Sequence, residues 1–418
     1  MSDRDAIVDA PKSQPLSQNR DFRLLAFSQG ISAIGDAVAI TALPLLVLQL
    51  TGSGVAMGVV LAIQALTDFA FGLFAGAIAD RSDRKRMMVV ADVGRAFLTA
   101  LVPISAIAGG PTMAVIVAVA GPLSIFRSMF RAGYLSSLPK LVGRQQFARA
   151  NGVLESVYSS SVIIGPIIAG FLAATIGPGP TLAIDAVSFA ISAVGMFLMT
   201  TDLHAPLDRP QAHMLADVRE GVAYVVGHPV LRSAVLLFGL YSAAVAPLIV
   251  AVAVRITRDL SESEEVFGLV VASFGFGAVA GSLIAVRLGR RANVALVLLG
   301  GIALTGLTIV GLAVFDSVAA LVVFGLVGGL LETLVTLTYV SMRAAASPDA
   351  LLGRIASTAR VFSLGVQPIG LLIGGLLIDS VGGTQTIIVV GLASCCLALV
   401  FAPVSALRRA TLGPERAA

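Results

Sequence analysis

What this chain has little of is charge. Only 12% of its 418 residues are Asp, Glu, Lys or Arg, against 57% hydrophobic, where a water-soluble globular chain carries roughly 25% charged. Tryptophan is missing, and lysine occurs only at Lys12, Lys85 and Lys140. None of these lysines follows a glycine, so the Gly-Lys-Ser/Thr core of a phosphate-binding loop is absent and an ATPase of that type is excluded. Histidine is confined to His204, His213 and His228 in one polar mid-chain stretch, which leaves every apolar run without an imidazole. The two cysteines, Cys395 and Cys396, are adjacent, a poor arrangement for a structural disulfide or a metal site, and read as packing. With no Gly-x-Ser-x-Gly elbow and no metal-ligand cluster, the chain is expected to be no enzyme and to carry no cofactor or metal. The net charge of +4 comes from short arginine clusters between apolar runs and not from a basic stripe, which argues against a nucleic-acid partner.

What is present is apolar length. Residues 1–20 hold Asp3, Arg4, Asp5, Lys12 and Arg20 and no apolar stretch, which predicts a polar tail and not a secretory leader. Beyond it, runs of about 20 apolar residues recur twelve times, separated by turn signals such as Thr51-Gly52-Ser53-Gly54, Gly177-Pro178-Gly179-Pro180 and Gly382-Gly383. A soluble core could not hide them. The expected fold is therefore an all-α integral membrane protein of twelve transmembrane helices, with the lipid bilayer as its solvent.

Placing both termini in the cytoplasm sorts nearly all basic residues outside the helices to one side. Only Arg255 and Arg258 fall on the other side, and Arg95, Arg127, Arg131 and Arg360 lie within helices. So skewed a distribution predicts the topology by the positive-inside rule. The longest polar interval, 201–229, divides six spans from six, and residues 217–226 inside it predict a short surface helix. The halves echo each other: Pro44 and Pro247 sit in similar surroundings 203 residues apart, and Pro166 and Pro368 lie 202 apart. That repeat predicts two pseudo-symmetric six-helix bundles at 21–200 and 230–405, a linker at 201–229, and tails at 1–20 and 406–418.

Ionisable side chains inside the spans are costly and mark function unless they are paired. Asp36 lies near the middle of span 1, and Gln29, Ser32 and Asp36 fall at i, i+3 and i+7 on one helix face. Span 2 offers Gln64 and Asp68, span 4 offers Arg127 and Arg131, and span 10 offers Glu332, Thr336 and Tyr339. Without a histidine, a proton crossing the membrane would have to ride on one of these carboxylates. Structural readings stand beside the functional ones. Asp68 and Arg127 form a fixed ion pair between spans 2 and 4 on one of them, and Glu332 makes an interhelical hydrogen bond on another. Glu155, Arg360 and Asp185, nearer the span ends, read as structural.

Two motifs go further. Gly76-Ala77-Ile78-Ala79-Asp80-Arg81-Ser82-Asp83-Arg84-Lys85, between spans 2 and 3, resembles the GxxxDRxGRR signature of the major facilitator superfamily, with Asp83 where the family has glycine. Gly165-Pro166-Ile167-Ile168-Ala169-Gly170 in span 5 resembles the GPxxGG element of that superfamily's antiporters, with alanine for one glycine. With Asp21-Phe22-Arg23, Asp185-Ala186-Val187-Ser188-Phe189 and Leu352-Gly353-Arg354, the chain is similar over about 21–405 to the drug:proton antiporter branch that includes macrolide-efflux and enterobactin-export proteins.

The resemblance implies a major facilitator fold in a bacterial cytoplasmic membrane. It also implies export of small amphipathic molecules, drugs or siderophore-like metabolites, in exchange for protons by alternating access. A cytoplasmic gate would form at Gly76, Asp80, Arg81, Arg84 and Lys85, and helix packing would be set by Gly165, Pro166 and Gly170. It pairs Asp36 with Arg127, since the family's drug exporters often place an acid in span 1 near an arginine in span 4. The chain is expected to act as a monomer. An importer or uniporter of the same fold, and a transport-inactive receptor or scaffold, are the competing readings.

Overall fold

The computed structural model describes residues 15–79, 82–110, 112–203, 214–288, 293–348, 351–405 and 407, and among them every regular element is helical. The first half comprises α1 (Arg20–Thr51), α2 (Gly54–Ala79), α3 (Arg84–Ile107), α4 (Thr112–Gly143), α5 (Gln145–Ile176) and α6 (Pro178–Phe197). After α7 (Met214–Gly227) come α8 (Pro229–Asp259), α9 (Glu264–Leu288), α10 (Leu296–Val314) and α11 (Val318–Ala345). A last helical stretch, Leu352–Phe401, follows. Its 50 residues would run about 75 Å at 1.5 Å per residue, more than twice a bilayer core. It breaks at Gly382 (φ 89°, ψ 173°), a conformation closed to side chains with a Cβ, into α12 (352–381) and α13 (383–401). Gly143 (φ 73°) divides α4 from α5 in the same way. Among the described residues twelve apolar helices of spanning length result, as expected, and α7 is helical where the short helix was predicted.

The helix starts are written locally. Asn19 accepts from the Phe22 amide at 3.0 Å to cap α1, Asp83 accepts from Lys85 and Arg86 to cap α3, and Ser317 caps α11. The outward faces are apolar: Phe97 is 64% exposed, Val286 81% and Leu399 71%, surface that lipid covers and water would not leave bare.

The two ends of the molecule differ. At the end carrying the α1–α2 turn, one apolar cluster runs through both halves, combining Ala42, Leu46 and Met57 with Val250, Phe267 and Ile387. We call this the joined end. At the opposite, divided end each half keeps its own cluster, Phe22, Met88, Leu138 and Met199 in the first and Val230, Leu298 and Met342 in the second. The halves cross where side chains vanish. A Cβ on Gly170 would lie 2.7 Å from the Glu264 carbonyl oxygen, and one on Gly58 would lie 2.7 Å from that of Leu371, so α5 meets α9 and α2 meets α12 backbone to backbone. Gly165 does the same inside the first half, pressed on Ala37 of α1, while the Pro166 carbonyl oxygen would sit 2.4 Å from a Cβ on Gly268.

Candidate functional site

A cavity of about 700 Å³ lies within the first half. Its floor is Pro44, Met57, Ile116 and Leu182 near the joined end, with Ile249 of the second half. Its mouth is at the divided end, where Leu135 is 54% and Tyr158 56% exposed. The walls are mostly apolar, and the polar groups are few and charged, which is the composition of a pocket for amphipathic ligands.

Of the residues proposed from the sequence, Gln29 and Asp36 on α1, Gln64 on α2, and Arg127 and Arg131 on α4 all line this cavity. The face that α1 turns to it is Gln29, Ala33, Asp36, Ile40 and Leu43. Ser32, expected on that face, is instead buried against neighbouring helices at 3% exposure, because the stripe advances by i+4 from Gln29 to Ala33.

The expected pairing of Asp36 with Arg127 is not what the structure holds. Arg127 donates to Asp68 at 2.5 Å and to Ser124 at 3.0 Å, and Ser128 donates to Asp68 at 3.3 Å. Asp68 stands closer to Arg127 across the α2–α4 contact and takes it, so the interhelical ion pair is present and Asp36 forms no ion pair among the described residues. Asp36 nevertheless lies within electrostatic reach of both Arg95 and Arg127.

Glu332 and Thr336 do not border the cavity. Glu332 sits inside the second half, where the buried Tyr241 hydroxyl donates to it at 2.8 Å, and close by Tyr339 stacks on Phe238 with centroids 4.1 Å apart. The interhelical hydrogen bond read from the sequence is therefore there.

Three cavity groups were not singled out as site residues from the sequence: Arg95, Glu155 and Asp185. Arg95 is buried between the rings of Phe130 and Phe189, 4.6 and 4.1 Å from their centroids, and bonds to Asp92 one turn away on α3. Asp92 also accepts from Ser192 of α6 at 2.6 Å. An acid and a base three apart within an apolar run was the available signal. Asp185 is only 5% exposed; its place near the start of α6 suggested a cap, but α6 tilts it into the cavity wall.

Of the gate loop, Asp80 and Arg81 lie outside the described residues, as does the side-chain environment of Gly76. Arg84 is buried and donates to the Ser136 carbonyl at 2.8 Å, and Lys85 reaches the Met199 carbonyl at 2.6 Å. These bonds stay inside the first half.

Among the described residues, bonds between the halves are seen at the joined end. Arg258, at the tip of α8, donates to the carbonyls of Leu48 (2.9 Å) and Gly52 (2.7 Å), at the C-terminus of α1. Asp379 of α12 accepts from Ser53 Oγ at 2.5 Å and from the amides of Gly54 and Val55, the bare N-terminus of α2. A cation on a helix C-terminus and an anion on a helix N-terminus is the favourable sense at both sites.

Twelve apolar helices in two like halves around a charged cavity have the architecture of a major facilitator. Solved structures share this fold: the nucleoside transporter NupG superposes with a TM-score of 0.75 at 13% identity over 92% of this chain and 99% of that one. A bacterial homologue of the human lysosomal transporter Spinster gives 0.71 at 12% identity over 94% and 96%. The family model of transmembrane secretion effectors matches residues 11–415, and the chain belongs to that family. It is similar to the multidrug efflux pump Tap of Mycobacterium tuberculosis, 27% identical over 94% of this chain and 95% of that protein. It is also similar to the enterobactin exporter EntS of Shigella boydii, 25% identical over 80% and 79%. The expected membership of the superfamily's efflux branch is borne out.

Proposed function

We propose that this protein exports small amphipathic molecules across a bacterial cytoplasmic membrane in exchange for protons, with the divided end and both termini in the cytoplasm. The observation that carries this reading is the charge balance of a cavity open at only one end. Three carboxyls line it, Asp36, Glu155 and Asp185, with three arginines, of which Arg95 and Arg127 are occupied by Asp92 and Asp68 outside the lining. Carboxyls are left in excess over the one remaining arginine, Arg131, in walls otherwise apolar, a setting suited to protons and to substrates with an apolar body and a positive or polar head. The names of Tap and EntS support the outward direction.

In this reading the halves, 21–200 and 230–405, rock about the glycine crossings. The mouth at the divided end supports taking this as the state that loads substrate from the cytoplasm. Arg131 and Arg360 of α12 lie within electrostatic reach of each other at the divided end, and their repulsion favours its opening. When that end closes, the loop bearing Asp80, Arg81, Arg84 and Lys85 meets the second half and latches it.

The test is efflux of a chemically diverse panel from cells overexpressing the protein, with and without a proton uncoupler. Accumulation of some compounds should fall with the protein and recover with the uncoupler. Export that is indifferent to the uncoupler would overturn the proton coupling, and no export of any compound would overturn the function. Cysteines introduced at Gly110 and Gln145 in a background lacking Cys395 and Cys396 should react from opposite sides of the membrane, Gly110 from outside.

A further inference from the structure

Asp185 is the acid of the cavity whose surroundings are hardest to explain structurally. It is 5% exposed and bonds to no cation among the described residues. Its one side-chain partner is Ser188, at a long 3.5 Å, and the Ser188 hydroxyl already serves the Asp185 backbone carbonyl at 2.8 Å. A buried carboxylate left this bare is costly. Its position is specific: a Cβ on Gly35 would lie 2.8 Å from Asp185 Oδ1. The carboxyl therefore rests on α1 beside the residue that precedes Asp36, and glycine at position 35 leaves the room.

The other charged groups around the pair are spoken for. On α3, Arg95 is held by Asp92 and by the two phenylalanine rings, a fixed cation that cannot swing to either acid without breaking its bond to Asp92. On α4, Arg127 is bound to Asp68 and Arg131 points into the open mouth; on α5, Glu155 and Tyr158 lie near that mouth. Asp36 and Asp185 are left facing one low-dielectric space between α1 and α6.

From this geometry we infer that Asp185 is a second acid of the transport site, forming with Asp36 a carboxyl pair that holds one proton between them. Two carboxyls sharing such a space do not both ionise. A substrate carrying positive charge or a strong donor expels the shared proton by taking its place. This deepens the export reading and rests on it for the proton's use; the existence of the pair does not depend on export.

Infrared spectroscopy of the purified protein in lipid nanodiscs tests the pair without any substrate. The carboxylic C=O bands of the unmodified protein, Asp36→Asn and Asp185→Asn are followed against pH. Each single variant should remove one titrating band and shift the midpoint of the other acid downward by at least about one pH unit, the mark of two coupled sites. An Asp36 midpoint that Asp185→Asn leaves unmoved overturns the pair.

Should Asp185→Asn fail to insert, the unmodified protein is treated with a carbodiimide, which modifies protonated carboxyls, and mapped by mass spectrometry. Label is expected on Asp36 or on Asp185 but not on both in one molecule. Doubly labelled molecules, or an Asp185 never labelled, overturn the proposal. In reconstituted vesicles loaded with ethidium, absence of pH-driven uphill efflux of ethidium and of every panel compound sinks the export reading alone, leaving the infrared result to stand or fall separately.

Discussion

The two halves share a fold and a repeat, yet they divide the work unequally. The first half gathers Asp36, Arg95, Arg127, Arg131 and Asp185 around a cavity open to one side. The second half offers Glu332, which accepts a hydrogen bond from Tyr241 inside the half, and its charged ends serve structure. Arg255 is buried and ties the tip of α8 to the carbonyls of Leu312 and Phe315 and to Asp316, while Arg258 and Asp379 reach over to cap helices of the first half. The comparison also explains the two arginines that break the one-sided basic pattern: both donate to backbone carbonyls at the C-terminal ends of helices.

That asymmetry makes testable demands. The largest effect should come from Asp36→Asn, which keeps size and hydrogen bonding but cannot ionise. Uphill efflux driven by a pH gradient in reconstituted vesicles should fall to the level of vesicles lacking protein, with substrate exchange partly retained. Undiminished uphill efflux would mean that Asp36 does not carry coupling.

Next is the crossing the halves share. Gly170→Leu places side-chain atoms where a Cβ alone would be 2.7 Å from the Glu264 oxygen and 3.0 Å from Gly268 Cα. Such overpacking costs on the order of 1–3 kcal/mol, and the melting temperature in detergent should drop by several degrees along with transport. A variant that melts and transports as the parent does would show that α5 and α9 are not in register at this point.

A smaller shift is expected at the joined end. Asp379→Ala with Arg258→Ala removes the caps that hold it shut, a net change of about 1–2 kcal/mol at these exposed sites. The population open at that end should rise about 5–30-fold, read as a longer distance between spin labels on the α1–α2 turn and on α12. Unchanged distance distributions would reduce the caps to passive contacts.

The smallest effect belongs to Glu332→Gln. An amide oxygen accepts from the Tyr241 hydroxyl as well as a carboxylate does in kind, so pH-driven efflux should stay within about twofold of the parent. A tenfold loss would move coupling into the second half and erase the asymmetry.

Much of this was legible along the chain because its signals are local or periodic. Apolar length against bilayer thickness gives the spans, and glycines at 52, 177 and 382 give turns between them, each being a property of a few consecutive residues. Offsets of 202 and 203 residues were enough to predict two like bundles, and the depth of Asp36 in its span marked it as a cavity acid. Partners were another matter. That Arg127 turns to Asp68 and not to Asp36, that Arg95 is pinned between two rings, and that Asp185 lies against Gly35 of α1 all depend on helix rotation and tilt to within a few ångströms. Pattern along one helix fixes which face is polar, but the residue met across a contact is set by how two helices pack, and ion pairing falls off over that same few-ångström scale. Composition and periodicity thus determined that this is a twelve-span membrane protein with acids in its core, and its motifs tied it to a transporter superfamily, while the packing of α1, α2, α3, α4 and α6 alone decided which acid has a cation and which acid rests on α1.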